Sequence, residues 1–166
     1  MQFYANPYNT DVNGFCFETY DEFEEGVEKL EKEYGFPVEE FSIDTVDGTR
    51  EELLLVEAMD VDQGNLKRVL DVIENMDESY WPKLYFLLYN FTTLSLKDAV
   101  NKINDVCIHQ ETLHDAAEEL FDDIFIIPNE IRDYIDYEKF AQVIESEGSM
   151  VEFEFADNTY TCTNIN

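Results

Sequence analysis

Basic residues are scarce in this chain of 166 residues, which has 10 Lys and Arg against 39 Asp and Glu and a formal net charge of −29. Internal ion pairs cannot neutralise that surplus, so most carboxylates must face water. Such a surface repels nucleic acid and anionic membranes, and we expect neither as a partner. It attracts basic grooves, because opposite long-range potentials steer two proteins together and raise their rate of association.

Cysteines and long apolar runs are also few. An odd number of widely spaced cysteines, Cys16, Cys107 and Cys162, with no signal peptide indicates reduced thiols in the cytoplasm rather than a disulfide framework. The longest apolar runs, such as Leu84–Leu88, are far too short to span a bilayer. We therefore expect a cytoplasmic protein that is not embedded in a membrane.

The motifs of common enzymes and metal sites are missing as well. The sequence contains no glycine-rich phosphate loop, no G-x-S-x-G elbow and no H-E-x-x-H helix. His109 and His114 have no further ligands at zinc spacing. Asn9–Gly14 resembles a calcium loop, but Tyr20 stands where a bidentate glutamate is required. We therefore expect no catalytic residue, no metal and no cofactor.

Aromatic residues, by contrast, are plentiful, with 13 Phe, 10 Tyr and one Trp in a sequence that is 45% apolar. Disordered acidic chains usually lack aromatic residues. Side chains of this size need an interior or a partner surface to cover them. The chain is therefore expected to fold.

Charge divides the chain into three segments. Residues 1–61 contain 17 acidic and 3 basic residues, residues 62–103 contain 6 and 5, and residues 104–166 contain 16 and 2. Two arms with a net charge of −14 each therefore flank a middle segment with a net charge of −1. We place provisional domain boundaries there, which gives acidic N-terminal and C-terminal domains on either side of a near-neutral domain.

In the first arm, a helix is predicted between two short strands. The strands are expected at Gly14–Phe17 and Phe41–Asp44, where aromatic residues lie between turn residues. The helix begins at a capping box formed by Thr19 and Glu22 and ends at Gly35. Its outer face carries Glu24, Glu25, Glu28 and Glu31. This acidic face either keeps the protein soluble or forms a binding surface.

In the last arm, a mixture of strands and helices is predicted. A strand is expected at Asp105–His109 and a helix from Thr112, and two further short helices are expected to be capped by Asn129 and Asp136. Alternating apolar and acidic residues in Met150–Phe155 indicate the first strand of a hairpin.

The middle segment is predicted to be helical, with one helix from Leu66 and a second capped by Ser95. Strands at both ends of the chain and helices between them predict an α+β fold with a short antiparallel sheet at each end.

One string in the last arm carries a resemblance to a known family. Ile127–Phe140 reads IPNEIRDYIDYEKF and resembles the IP-x-x-(L/I)-x-x-YIDYE signature of the ArdA antirestriction proteins. The length, the acidity and the acidic helix at Leu113–Phe121 also fit, whereas the first hundred residues match only in overall character. The resemblance implies an elongated protein of three small subdomains that forms a homodimer and mimics bent B-form DNA.

The resemblance also implies a function and a partner. Proteins of this family belong to mobile genetic elements and protect their DNA by occupying the DNA-binding groove of a type I restriction–modification enzyme, with no cofactor and no reaction. Two other interpretations are a generic acidic module for basic DNA-binding proteins, such as a histone-like chaperone, and a small hydrolase using a carboxylate pair. The candidate phosphate-mimicking carboxylates are Glu22, Glu24, Glu25, Glu28, Glu31, Asp44, Asp47, Glu51, Glu52, Glu118, Glu119, Asp122, Asp123, Asp133, Asp136 and Glu138.

The family signature is associated with the dimer contact. Its apolar residues are numerous for a short exposed segment, so they either form that contact or fill the C-terminal core, and both roles can hold for different faces. These residues are Ile127, Ile131, Tyr134, Ile135 and Tyr137.

Overall fold

The fold is a mixture of helices and sheets, as the periodicity predicted. The computed structural model describes residues 1–163, in which eight α-helices accompany two three-stranded antiparallel sheets, one near each end of the chain. The chain forms two compact units, Met1–Trp81 and Pro82–Asn166. Their boundary lies inside the predicted middle segment, 62–103, and the organisation into three domains stays a prediction.

The first unit contains a three-stranded sheet, three α-helices and a 3₁₀ turn. Its elements are β1 (Gln2–Pro7), β2 (Phe15–Phe17), α1 (Tyr20–Tyr34), β3 (Phe41–Asp47), α2 (Arg50–Ala58), α3 (Leu66–Asn75) and the 3₁₀ turn (Glu78–Tyr80). Strand β1 is central and pairs antiparallel with both β2 and β3. The sequence prediction identified β2, α1, β3 and α3 but missed β1 and α2.

Helix α1 begins and ends where the sequence predicted. The Thr19 hydroxyl accepts the Glu22 N–H at 3.2 Å, and the Glu22 carboxylate accepts the Thr19 N–H at 3.4 Å. Gly35 ends the helix in the left-handed conformation, with φ of 75°, and its N–H donates to the Glu31 carbonyl. Both ends are therefore fixed by local hydrogen bonds, which hold the helix in one register.

An aromatic cluster packs α1 onto the sheet. Phe23 contacts Phe17 and Phe41 at ring-centroid distances of 5.3 and 5.7 Å. Gly26 lies against the ring of Phe15, and a Cβ added there would come within 2.1 Å of that ring. The glycine thus allows close approach of helix and strand, and the opposite face of α1 is directed to solvent.

The second unit begins in a helix that starts at Trp81, the last residue of the first unit. The elements are α4 (Trp81–Asn90), α5 (Leu96–Lys102), β4 (Ile108–His109), α6 (Leu113–Ile124), α7 (Asn129–Arg132), α8 (Tyr137–Ser146), β5 (Val151–Phe155) and β6 (Asn158–Cys162). Strand β6 is central and pairs antiparallel with β4 and β5. The predicted starts of α5, α6 and α8 are confirmed, because Ser95, Thr112 and Asp136 each accept a backbone N–H at the helix start.

Two predictions for this unit were wrong in detail. The strand expected at Asp105–His109 is limited to Ile108–His109, because the Asp105 N–H donates to Lys102 O at 2.8 Å in the turn that follows α5. Asn129 does not cap α7: it is the first helical residue, and Pro128 is the N-cap without a side-chain hydrogen bond.

The core of the second unit has two parts. Helices α6 and α8 pack through Leu113, Ala116, Ala117, Ala141 and Ile144, and Met150, which precedes β5, joins this cluster. Tyr85 and Phe86 of α4 contact β5, with ring centroids 5.0 Å from Phe155 and Phe153 respectively. Trp81, Tyr85 and Phe86 of α4 thus belong to the core, whereas Tyr89 is 66% exposed. Among residues 1–163, no helix is both long and apolar enough to cross a membrane.

Candidate functional site

Helix α1 presents a row of carboxylates to solvent. Phe23, Gly26 and Leu30 are buried, so the outward face carries the group that we call the α1 ridge, Glu24, Glu25, Glu28 and Glu31, all exposed. The 15-residue helix contains seven acidic and two basic residues, a net charge of −5. At about 1.5 Å per residue it is about 22 Å long. Its charge density approaches that of one DNA strand, which has a phosphate every 3.4 Å or so.

The two lysines of α1 neutralise the ridge only in part. Lys29 lies 3.8 Å from Glu25 and Lys32 lies 3.2 Å from Glu28, with all four side chains 69–75% exposed. Exposed pairs of this kind contribute about 0.3–0.5 kcal/mol on a helix and are weakened by salt. The carboxylates therefore stay accessible to a more basic partner.

Helix α6 carries a second acidic surface. Leu113, Ala116 and Ala117 are buried. The other faces carry the group that we call the α6 ridge, in which Glu118 is half-buried and Glu119, Asp122 and Asp123 are exposed. Together with Asp115 they give five carboxylates and no Lys or Arg in 12 residues. The helix is about 18 Å long, so this spacing also approximates that of phosphates along one strand.

Three of the predicted carboxylates serve the fold directly. Glu22 and Glu52 complete capping boxes at the starts of α1 and α2, and Asp136 caps α8 by accepting the Lys139 N–H at 2.9 Å. Neutralising these acids would weaken a helix start as well as change the surface charge. They are therefore poor probes of binding.

The other predicted carboxylates lie outside the two ridges. In the first unit, Asp44 and Asp47 are exposed on β3, and Glu51 is half-buried at the start of α2. In the second unit, Asp133 and Glu138 are exposed near α7 and α8. The predicted carboxylates are thus distributed over several elements of each unit rather than gathered in one cluster.

Asp122 is partly committed to an internal contact. Arg132 of α7 donates a hydrogen bond to this carboxylate and forms an ion pair with it. The bond raises the pKa of the Arg132 guanidinium above its ordinary value. Asp122 is therefore partly neutralised, and Glu119 and Asp123 are the more available carboxylates of the α6 ridge.

Tyr137, predicted at the dimer contact, belongs partly to the core. Its ring contacts Phe121 at a centroid distance of 5.4 Å, and its enclosed hydroxyl forms no normal hydrogen bond with the described residues. Burial raises the pKa of this hydroxyl above its ordinary value, and the negative charge of Asp122 adds to the effect. Tyr137 therefore packs against the core, and its place at a dimer contact stays a prediction.

Replacing Tyr137 with phenylalanine is expected to protect the fold at high pH. Because the folded-state pKa lies above the ordinary value of 10.0, Tyr137 costs no stability below pH 10, and stability falls as the pH rises from there towards the folded pKa. Y137F removes that loss because phenylalanine does not ionise. Urea unfolding at neutral pH and at about pH 11 measures the free energy of unfolding of each protein under both conditions. If Y137F loses as much free energy of unfolding between neutral pH and about pH 11 as the wild type does, this role is ruled out. Y89F, at an exposed tyrosine, is the control.

Exposed apolar side chains are concentrated between residues 124 and 134. We call this group the 124–134 patch, and its members, with exposed fractions, are Ile124 (57%), Phe125 (49%), Ile126 (102%), Ile131 (51%) and Tyr134 (86%). The predicted dimer residues Ile127 and Ile135 are half-buried. Contiguous exposed apolar residues mark sites of protein association, and Ile124–Ile126 are consecutive in the chain. Ile124–Ile126 were not predicted, since the helical pattern of α6 placed them at the end of an acidic helix.

A cleft of about 450 Å³ in the first unit was not predicted either. Its walls combine apolar residues with four carboxylates and one lysine, and its lining comprises Met1, Phe3, Glu18, Thr19, Tyr20, Glu52, Lys67, Leu70, Asp71, Ile73 and Glu74. Only Glu52 was among the candidate residues. The cleft brings together parts of β1, α1, α2 and α3 with Glu18 and Thr19 before α1, and no local pattern reveals that arrangement.

The described residues show neither a disulfide nor a metal-ligand cluster. Cys16, Cys107 and Cys162 form no disulfide, and no group of three or more His, Cys, Asp or Glu side chains within residues 1–163 is arranged to hold a metal ion. Comparison with models of known protein families and with curated proteins finds no match for this chain. The resemblance of Ile127–Phe140 to the ArdA signature therefore stays an expectation.

Proposed function

We propose that this protein is a DNA mimic that inhibits type I restriction–modification enzymes by occupying their DNA-binding groove. One observation carries the proposal: a helix in each unit carries carboxylates, most of them exposed, at about the spacing of phosphates along a DNA strand. Helix α1 has a net charge of −5 over 15 residues, and α6 has five carboxylates over 12 residues without a Lys or Arg. Groups at this spacing suit the Lys and Arg residues that contact DNA phosphates.

Rigid helices make the carboxylates better mimics than a flexible acidic tail would be. The buried face of α1 is held by Phe23 and Leu30, and that of α6 by Leu113 and Ala117. Because the fold orders the carboxylates in advance, less conformational entropy is lost when the basic groove closes on them. The inhibition requires no cofactor and no reaction, and it takes place in the cytoplasm, where the target enzyme meets DNA.

Self-association is part of the proposal. Two chains with a net charge of −29 each repel one another, so a dimer needs an uncharged contact. Ile124–Ile126 of the 124–134 patch offer one, because no charged residue interrupts them, whereas Glu130, Arg132 and Asp133 are neighbours of Ile131 and Tyr134 in the chain. Burial of apolar area provides about 25 cal/mol per Å² against that repulsion. A dimer would present two copies of each ridge to one enzyme.

Competition with DNA tests this function. A labelled duplex bearing the recognition site is bound to a purified type I enzyme, and this protein is expected to displace it, less effectively as salt rises from about 50 to 200 mM. Poly-glutamate at equal charge concentration is the control for unstructured acidity. Failure to displace the duplex at low salt, or equal displacement by poly-glutamate, would overturn the proposal. In a pull-down from bacterial lysate with this protein as bait, capture of small basic nucleoid proteins instead of the enzyme would favour the histone-like alternative.

A further inference from the structure

We propose that the cleft of the first unit receives the side chain of an arginine or lysine from the partner protein. This inference deepens the proposed function and rests on it in one respect, since the basic groove of the target enzyme supplies that side chain. The convex ridges meet the groove through distributed charge. The cleft would add a defined point of attachment.

The cleft has an apolar interior that suits the stem of a long basic side chain. Leu70 is 8% exposed and Ile73 is half-buried, so both offer apolar surface at the lining, whereas Phe3 is fully buried. Arginine and lysine bury their methylene stems against such surfaces while the charged head stays near polar groups. A volume of about 450 Å³ is within the range of about 300–1,000 Å³ found for small-molecule sites, and is ample for one side chain.

The polar walls of the cleft select for a cation. Glu18, Glu52, Asp71 and Glu74 provide four carboxylates against two ammonium groups, that of Lys67 and that of the N-terminus, which lies 3.9 Å from Glu52, so the lining has a net charge of −2. Glu18, Asp71 and Glu74 are exposed, and a cleft lined mainly by charges of one sign raises the local concentration of ions of the opposite sign. The potential of the cleft is therefore complementary to a guanidinium or ammonium group.

Lys67 shows that one wall already accommodates an alkylammonium group. Its Nζ lies 4.9 Å from the centroid of the Tyr20 ring, within the range of a cation–π contact. An incoming guanidinium would find the same aromatic face and would compete with Lys67 for it. Lys67 thus acts as an internal competitor, and its removal should open the site.

A titration with a small probe tests the cleft without any partner protein. n-Butylguanidinium, which reproduces the arginine side chain, is added to isotope-labelled protein, and amide shifts are followed by NMR. We expect saturable shifts at Phe3, Tyr20, Leu70 and Ile73, with a dissociation constant of about 1 mM. The uncharged n-butylurea should produce shifts less than about one tenth as large at the same concentration.

Matched variants show whether the cleft or the general acidity binds the probe. D71N/E74Q should raise the dissociation constant about fivefold, as expected for two exposed charge contacts, and K67M should lower it about threefold. E24Q/E31Q removes the same charge from the α1 ridge and should change the dissociation constant of the probe by less than about twofold relative to the wild type. Equal weakening by both pairs, or shifts spread evenly over the ridge, would overturn the inference.

Failure of the cleft and failure of the proposed function can be told apart. If the probe titrates the cleft but the protein does not displace DNA from the enzyme, the cleft site stands and the function is wrong. If DNA is displaced but the probe does not shift the cleft residues, the function stands and this inference is wrong. When both hold, D71N/E74Q should weaken inhibition of the enzyme more than E24Q/E31Q does.

Discussion

Replacing the whole α1 ridge with glutamine, in E24Q/E25Q/E28Q/E31Q, is expected to weaken inhibition of a type I enzyme by about 100-fold. The change takes the net charge of the helix from −5 to −1, and four lost charge contacts at about 0.7 kcal/mol each correspond to that factor. Each residue is exposed on the face opposite the core, so the fold should be retained. The inhibition constant against a labelled duplex measures the effect.

The salt dependence and two control variants sharpen this experiment. If the ridge replaces phosphates, the quadruple variant should show a smaller slope of log affinity against log salt, by up to about 0.9 for each lost contact. The single variant E28Q should change affinity by less than about threefold, because the charge is distributed. D11N/E39Q/E40Q/E57Q removes four exposed carboxylates of the same unit outside the ridge. If that variant loses as much inhibition, total charge rather than the ridge determines binding.

The parts of the fold that were predicted are those determined by local sequence signals. Helix α1 has a capping box, a regular apolar face and a terminal glycine within one short segment. Strand β1 was missed because Asn6 and Pro7 at its end are typical of turns, although pairing on both sides makes it the centre of its sheet. Helix α2 was missed because it is short and its consecutive leucines, Leu53–Leu55, define no single face.

The same distinction applies to the candidate site. The two ridges were predicted because the buried face of a helix determines which residues point outward. The cleft could not be predicted, since Glu18, Lys67 and Glu74 belong to separate parts of the chain that only the tertiary fold brings together. The contact between Asp122 and Arg132 likewise joins residues ten positions apart on different helices. Such contacts depend on packing, which periodicity does not describe.

Charged substitutions in the 124–134 patch are expected to dissociate the proposed dimer. Tyr134 and Ile131 are 86% and 51% exposed, so Y134D and I131D should fold normally while placing an unpaired charge in an apolar contact. Central interface residues contribute about 2–4 kcal/mol, which predicts a 30- to 1,000-fold rise in the dimer dissociation constant. Analytical ultracentrifugation measures this constant, and circular dichroism checks the fold. Y8D, at a tyrosine of the first unit that is 68% exposed, is the matched control.

The choice of Tyr134 rather than Tyr137 decides what the experiment can show. Tyr137 packs on Phe121 and encloses its hydroxyl, so an aspartate there would disturb folding and association together. With Y134D, a folded monomer isolates the contact. Because a dimer offers two copies of each ridge, and linked contacts strengthen one another through effective concentration, the monomer should inhibit at least about tenfold less well. A wild-type chain that is monomeric at micromolar concentration would contradict the proposed contact, and a fully inhibitory Y134D monomer would separate dimerisation from DNA mimicry.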